Sequence, residues 1–125
     1  MLTTIATVLA GLVGAAVVLM GARAFWAPGA AVGFGIPGTP AEDRVFHAWL
    51  SVKAVRDIAL GILILVLTVG ATPHLLGWCV LAATGVPVGD ALIVLRANGP
   101  KTAAYGVHGA TAAVMLAISV PLLVA

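Results

Sequence analysis

Four long apolar segments, separated by short polar stretches, make up most of the chain. They cover residues 3–22, 40–69, 74–95 and 102–124, and twelve residues without a charge, Ile58 to Val69, close the second segment. Each segment approaches the ~20 residues that a helix needs to cross the hydrocarbon core of a bilayer. The pattern predicts an all-α fold: an integral membrane bundle of four transmembrane helices, forming one domain over residues 1–125 with the lipid bilayer as its surroundings.

Composition agrees with a membrane protein and excludes several functions. Hydrophobic residues make up 62% of the chain and charged residues 8%, with a mean hydropathy of +1.21, whereas soluble proteins carry about 25% charged residues. The net charge of +2 is small and dispersed, so no nucleic-acid partner is expected. The single cysteine, Cys79, excludes a disulfide framework and a redox pair.

The polar stretches suggest where helices begin, bend and turn. Thr39-Pro40-Ala41-Glu42 fits a capping box that would start the second helix. Pro87, three residues before Asp90, predicts a kink in the third helix. The stretch 23–39 mixes aromatic residues with prolines and glycines, so it is either an interfacial loop or a short lid over a cavity.

The ends of the segments predict orientation and location. Ala22-Arg23-Ala24 has the pattern of a signal-peptidase site. We nevertheless interpret the first segment as a retained helix, because no positive residue precedes it and it is long enough to span. Every basic residue outside the spans flanks the loops 23–39 or 96–101. The positive-inside rule therefore places both loops in the cytoplasm and both termini outside, in the plasma (inner) membrane.

Ionisable residues fall at similar depths in three of the predicted helices. Measured along the helices at 1.5 Å per residue, they lie roughly 8–15 Å from the cytoplasmic ends. The second helix brings a stripe of polar and aromatic residues, and the third and fourth helices each add an ionisable group. The residues are Trp49, Lys53, Arg56, Asp57, Asp90, Tyr105 and His108. The sequence predicts that they form one polar layer.

Two interpretations of this layer remain open. In a structural interpretation, Arg56 pairs with Asp90 and Lys53 with Asp57, and these ion pairs only fix the helix register. In a functional interpretation, Asp57, Asp90 and His108 are catalytic. One carboxylate then stays ionised beside Arg56, the other stays protonated in dry surroundings, and His108 carries protons. Substrate contacts are assigned to Trp49, Lys53, Arg56 and Tyr105.

The functional interpretation leads, because ionisable residues within a membrane usually serve a function. It predicts binding of, or acid–base chemistry on, a lipophilic small molecule: an isomerase, cyclase or epoxide-opening activity without cofactor or metal. One alternative is proton-coupled transport by a homo-oligomer. The other is a structural membrane subunit whose ion pairs set helix register. The sequence does not decide whether the chain is an enzyme.

Four short motifs support a family resemblance. Phe34-Gly35-Ile36-Pro37, Arg56-Asp57, Gly89-Asp90 and His108-Gly109 resemble the small four-helix membrane proteins known as domain of unknown function four-two-six-seven. The resemblance implies the fold over nearly the whole chain, and implies that Arg56, Asp57, Asp90 and His108 match the family's pattern. It implies no activity.

Overall fold

The structure, a computed structural model that describes all 125 residues, contains only helices and connecting turns. Four long helices follow one another: α1 (Leu2–Arg23), α2 (Arg44–Gly70), α3 (Pro73–Arg96) and α4 (Lys101–Leu123). A 3₁₀ helix, Pro28–Phe34, lies between α1 and α2. The all-α prediction is therefore confirmed.

Two of the long helices are divided internally. α3 consists of Pro73–Ala83 and Gly85–Arg96, with Thr84 between them. α4 begins with a short α-helical turn, Lys101–Ala103, continues as a π-helix, Ala104–Gly109, and ends as an α-helix, Ala110–Leu123. The π-helix includes His108, whereas the interruption at Thr84 lies near the middle of α3.

Three of the four long helices are long and apolar enough to cross a membrane: α1, α3 and α4. The second helix is the longest, with 27 residues, but it is not among them, because Lys53, Arg56 and Asp57 interrupt its apolar part. Only 23 of the 125 residues are buried, and large apolar side chains lie exposed on every long helix. A surface of this kind requires an apolar surrounding, so the fold is that of a helical membrane protein.

The second helix begins four residues later than predicted, and its cap is different. Asp43 is the N-cap, and its Oδ2 accepts a hydrogen bond from the Phe46 amide at 2.8 Å. Thr39 instead donates to the Ile36 carbonyl at 2.6 Å. The predicted capping box at Thr39 is therefore wrong, because the aspartate nearer the apolar segment satisfies the free amides of the first turn.

The expected irregularity near Pro87 is present, displaced by three residues toward the N-terminus. The helix is interrupted at Thr84, whose hydroxyl donates to the Val80 carbonyl at 2.9 Å. Proline has no amide hydrogen to donate one turn back, so the backbone upstream of Pro87 loses a helical hydrogen bond. The Val80 carbonyl, one turn before the interruption, accepts from both the amide and the hydroxyl of Thr84.

The helices pack in two pairs, α1 along α2 and the first half of α3 along α4. Between α1 and α2 the backbones approach closely at Gly14 and Gly61: a Cβ added to Gly61 would lie 2.6 Å from the Gly14 carbonyl oxygen. Small residues at such crossings permit the packing that drives helix association in lipid. An apolar cluster then fills the half of the bundle remote from the polar residues: Ala6, Ala10, Ile64, Leu76, Val80, Ala83, Met115, Ile118 and Leu122.

This crossing predicts the effect of two glycine substitutions. Gly61→Ala should lower the unfolding free energy by about 1–3 kcal/mol, because the added methyl overpacks the contact with α1. Gly89→Ala, which meets no atom within 4 Å, should leave stability unchanged or raise it by up to about 1 kcal/mol through better helix propensity. Thermal unfolding in detergent measures both. Equal behaviour of the two variants would contradict the close packing of α1 on α2.

Candidate functional site

The pairing of α1 with α2 sets the level of the polar residues. A Cβ added to Gly21, near the end of α1, would lie 3.0 Å from the Ala54 carbonyl oxygen and 3.1 Å from the Asp57 Cβ. Asp57 is therefore level with the last turn of α1, which ends at Arg23. The first turns of α2 project beyond α1, so the polar layer lies near one end of the bundle rather than at its middle.

A cavity of about 420 Å³ lies at this level. Its walls are the end of α1, the segment 24–39, the first half of α2 and the π-helical part of α4, and most of its lining is apolar. The polar side chains that line it are Arg23, Thr39, Lys53, Asp57 and His108. Residues between 27 and 36 of the stretch 23–39 form one wall of the cavity.

Two of these polar side chains form an ion pair. Lys53 Nζ lies 2.5 Å from Asp57 Oδ2, across one turn of α2. The Asp57 side chain is 23% exposed and that of Lys53 48%. The ammonium also lies 5.6 Å from the centre of the Phe34 ring, within the range of a cation–π contact. The segment 24–39 therefore meets the charges of α2 through an aromatic face.

His108 joins the same segment to α4. Its Nε2 donates to the Phe34 carbonyl at 2.9 Å, and the two rings lie 4.3 Å apart, inclined at 49°. A carbonyl has no hydrogen to give, so Nε2 must carry one. His108 is buried within the π-helix, whose wider turn sets the direction of this side chain. The imidazole thus holds the segment by both a hydrogen bond and an aromatic contact.

The other nitrogen of His108 faces Asp90 of α3. Nδ1 lies 4.0 Å from Asp90 Oδ2. Because Nε2 already carries a hydrogen, attraction between Nδ1 and the carboxyl group requires one more proton, held on either the ring or the carboxyl. Asp90 does not line the cavity, but it lies within electrostatic range of His108, Lys53 and Asp57. The structure therefore brings these four residues together from three helices.

Three of the residues predicted to bind substrate lie elsewhere. Trp49 and Tyr105 are 70% and 60% exposed, and Arg56 is exposed, with Nη1 donating to the Val52 carbonyl at 3.1 Å. The predicted Arg56–Asp90 ion pair is therefore wrong. Residues advance about 100° each around a helix, so Arg56 follows Trp49 within about 20°, whereas Asp57 points roughly 100° further round. The predicted stripe on α2 is therefore divided: Trp49 and Arg56 face outward, and Asp57 faces the cavity.

Two features of the site were missed from the sequence. The Phe34 ring and carbonyl contact the polar layer, and Gly35 follows with φ +105°, a conformation that favours glycine. A Cβ on Gly99, in the loop between α3 and α4, would clash with the Gly35 carbonyl oxygen. Glycines at both positions were the available signal, but only the folded chain shows that they meet. No three His, Cys, Asp or Glu side chains form a group that could hold a metal ion.

The contact between His108 and Phe34 predicts how firmly the segment 24–39 is held. His108→Ala should speed hydrogen exchange of amides 30–36 by about thirtyfold, because one hydrogen bond and one aromatic contact are each worth about 1 kcal/mol. Tyr105→Ala removes an exposed aromatic side chain from the same π-helix and should leave that exchange unchanged. An equal increase in both variants would show that the π-helix, and not the imidazole, secures the segment.

Comparison with known proteins identifies a family but no activity. Neither a curated protein nor a solved structure matches the chain. A family model described as Domain of unknown function (DUF4267) matches residues 14–122, a range that holds the cavity, the ion pair and the His108–Asp90 contact. The resemblance drawn from four short motifs is thereby confirmed, and the chain belongs to this family of unknown function.

Proposed function

We propose that the chain is a four-helix membrane protein that binds a lipophilic small molecule carrying a polar oxygen. The observation that carries this proposal is the cavity of about 420 Å³, mainly apolar, with the Lys53–Asp57 pair in its wall. Small-molecule sites have volumes of about 300–1,000 Å³ and combine apolar walls with a few polar groups. An apolar molecule would fill the cavity and direct its oxygen at the ammonium of Lys53.

The proposal includes α2 as the fourth span. Its second half, from Ile58 to Val69, contains no charge, and it packs along the membrane-spanning α1. The basic residues Arg23, Arg96 and Lys101 lie at the cavity end of the bundle, and the positive-inside rule assigns that end to the cytoplasm. A lipophilic ligand would then enter near the cytoplasmic boundary of the membrane.

The ion pair is suited to moving a proton on such a ligand. Asp57 as a base can remove a proton from the carbon next to a carbonyl, while the Lys53 ammonium stabilises the negative charge that develops on the oxygen. The same carboxyl group can return this proton to another carbon of the enolate, so a double bond moves with no net gain or loss of atoms. Isomerisation is therefore the acid–base reaction proposed here.

In this scheme His108 and Asp90 support the wall of the cavity and do not transfer protons to or from the ligand. His108 Nε2 donates to the Phe34 carbonyl, so the ring holds the segment 24–39 over the ligand. Asp90 faces the other ring nitrogen, Nδ1, and helps to fix the orientation of the ring. Both are positioning residues in this proposal, whereas the sequence interpretation had assigned them catalytic roles.

The two alternatives draw less support from the geometry. The structural interpretation placed Arg56 against Asp90, yet Arg56 is exposed, and the Lys53–Asp57 pair lies within one helix. The His108–Asp90 contact is the one interhelical pair that remains. A proton path would have to cross the remote half of the bundle. There the core is the apolar cluster described above, so a single copy offers no polar route.

Filling the cavity tests ligand binding. Ala31 lines the cavity and Ala59 lies exposed on α2, so Ala31→Leu and Ala59→Leu add the same volume inside and outside the site. Native mass spectrometry of protein released from membranes should show a non-phospholipid adduct on the wild type and on Ala59→Leu, reduced at least about tenfold on Ala31→Leu. A wild type without any such adduct, or equal retention by both variants, would refute the proposal.

Proton transfer is tested separately on the co-purified molecule. Incubating the complex in D₂O should exchange hydrogen for deuterium at carbon in the wild type, raising the mass of the extracted ligand. Asp57→Asn should retain the ligand and abolish the exchange, with a rate loss of at least about 10²-fold. Thr39→Val, which changes another polar residue of the cavity wall, is the control and should exchange normally. Unchanged exchange in Asp57→Asn would remove Asp57 from the reaction.

A further inference from the structure

The outward face of α2 carries a charge that the cavity does not explain. Arg56 is exposed, and the one hydrogen bond of its guanidinium is to the Val52 carbonyl. Along the same face lie Trp49, Val52 and Leu63, all large, apolar and exposed. A guanidinium among such residues is costly to place in lipid unless an anion meets it.

The direction of the Arg56 side chain shows where that anion would lie. By bonding to Val52, one turn nearer the N-terminus of α2, the guanidinium reaches toward the end of α2 that projects beyond α1. Because neighbouring Asp57 is level with the last turn of α1, the guanidinium comes close to the membrane boundary. Long basic side chains near helix ends reach the interface in this way.

No carboxylate of this chain can be the partner, whether from the same copy or from a second one. The chain has four acidic residues. Asp57 and Asp90 are engaged inside the bundle. Glu42 and Asp43 precede Arg56 by at least 13 positions, about 20 Å along the axis of α2. Two copies meeting through this face with parallel helices would bring two Arg56 side chains together and repel.

We infer that Arg56 and Trp49 form a binding site for the headgroup of an anionic phospholipid on the outer face of α2. The guanidinium can bind two phosphate oxygens at once. The Trp49 ring, two turns nearer the helix start and on the same face, sits at headgroup level, where indole rings are preferred. This site rests on α2 crossing the bilayer and is independent of the ligand in the cavity.

The test is lipid selection by the purified protein. The protein is equilibrated with equal amounts of phosphatidylglycerol and phosphatidylcholine of matched acyl chains. Native mass spectrometry then identifies and quantifies the lipids that stay bound. Wild type should retain phosphatidylglycerol about fivefold over phosphatidylcholine, the effect expected of one basic residue near an anionic headgroup. Arg56→Gln should bring the ratio close to one, and Arg56→Lys should keep part of the preference.

Arg44→Gln is the matched control, because it removes the same charge from the same helix 12 positions earlier. It should leave the preference intact. No preference in the wild type, or an equal loss in Arg44→Gln and Arg56→Gln, would overturn the inference and indicate attraction to net charge alone. Loss of the cavity adduct without loss of lipid preference would count against the proposed function and leave this site standing.

A second measurement leaves Arg56 unchanged. With Trp26→Phe and Trp78→Phe, Trp49 is the sole tryptophan, since the chain contains three. Brominated phosphatidylglycerol in a phosphatidylcholine bilayer should quench its fluorescence more than brominated phosphatidylcholine in a phosphatidylglycerol bilayer at the same mole fraction. Equal quenching would show that no anionic headgroup is concentrated at this face.

Discussion

The hydrogen bond from His108 to the Phe34 carbonyl is the contact on which the site depends. The segment 24–39 is largely not α-helical, and backbone polar groups near a hydrocarbon layer must find partners within the protein. The imidazole supplies a donor from a helix 74 positions away in sequence. Without this donor the Phe34 carbonyl would have to turn toward water. The segment 24–39 would then move away, and the cavity would lose one wall. The contact between the Phe34 and His108 rings and the close approach of Gly35 to Gly99 belong to the same packing of the segment 24–39 against α3 and α4.

The sequence was sufficient for the outline of the fold because lipid imposes one dominant constraint. Apolar length alone located four helices to within a few residues at most ends, since a helix in lipid must be both long and apolar. The sequence did not show which polar side chain caps the first turn of α2. The sequence pattern favoured a cap at Thr39, and only the folded turn shows that Asp43 meets a free amide.

The site was predicted in part, and the limits have a physical cause. Depth follows from position in a helix, so Lys53, Asp57, Asp90 and His108 could be placed in one layer from the sequence. Direction depends on how each helix is rotated against its neighbours, which spacing alone does not give. Trp49 and Arg56 therefore entered the predicted site and face outward in the structure. Phe34 was named only as part of a family motif, and not as a site residue, because its contact partners are remote in sequence.

The π-helix in α4 has a consequence for how the chain tolerates change. A π-helix holds an additional residue compared with an α-helix of equal rise, so the helix beyond it is turned by about 100° relative to an uninterrupted one. Ala104–Gly109 thus separates two rotational settings: His108 points to the cavity edge, while Met115, Ile118 and Leu122 point to the core. Deleting one residue between 104 and 109 would restore a continuous helix, but it would force a choice between these two alignments. Because of this π-helix, the first part of α4 can line the cavity while its second part packs into the apolar core, although the two point in different directions.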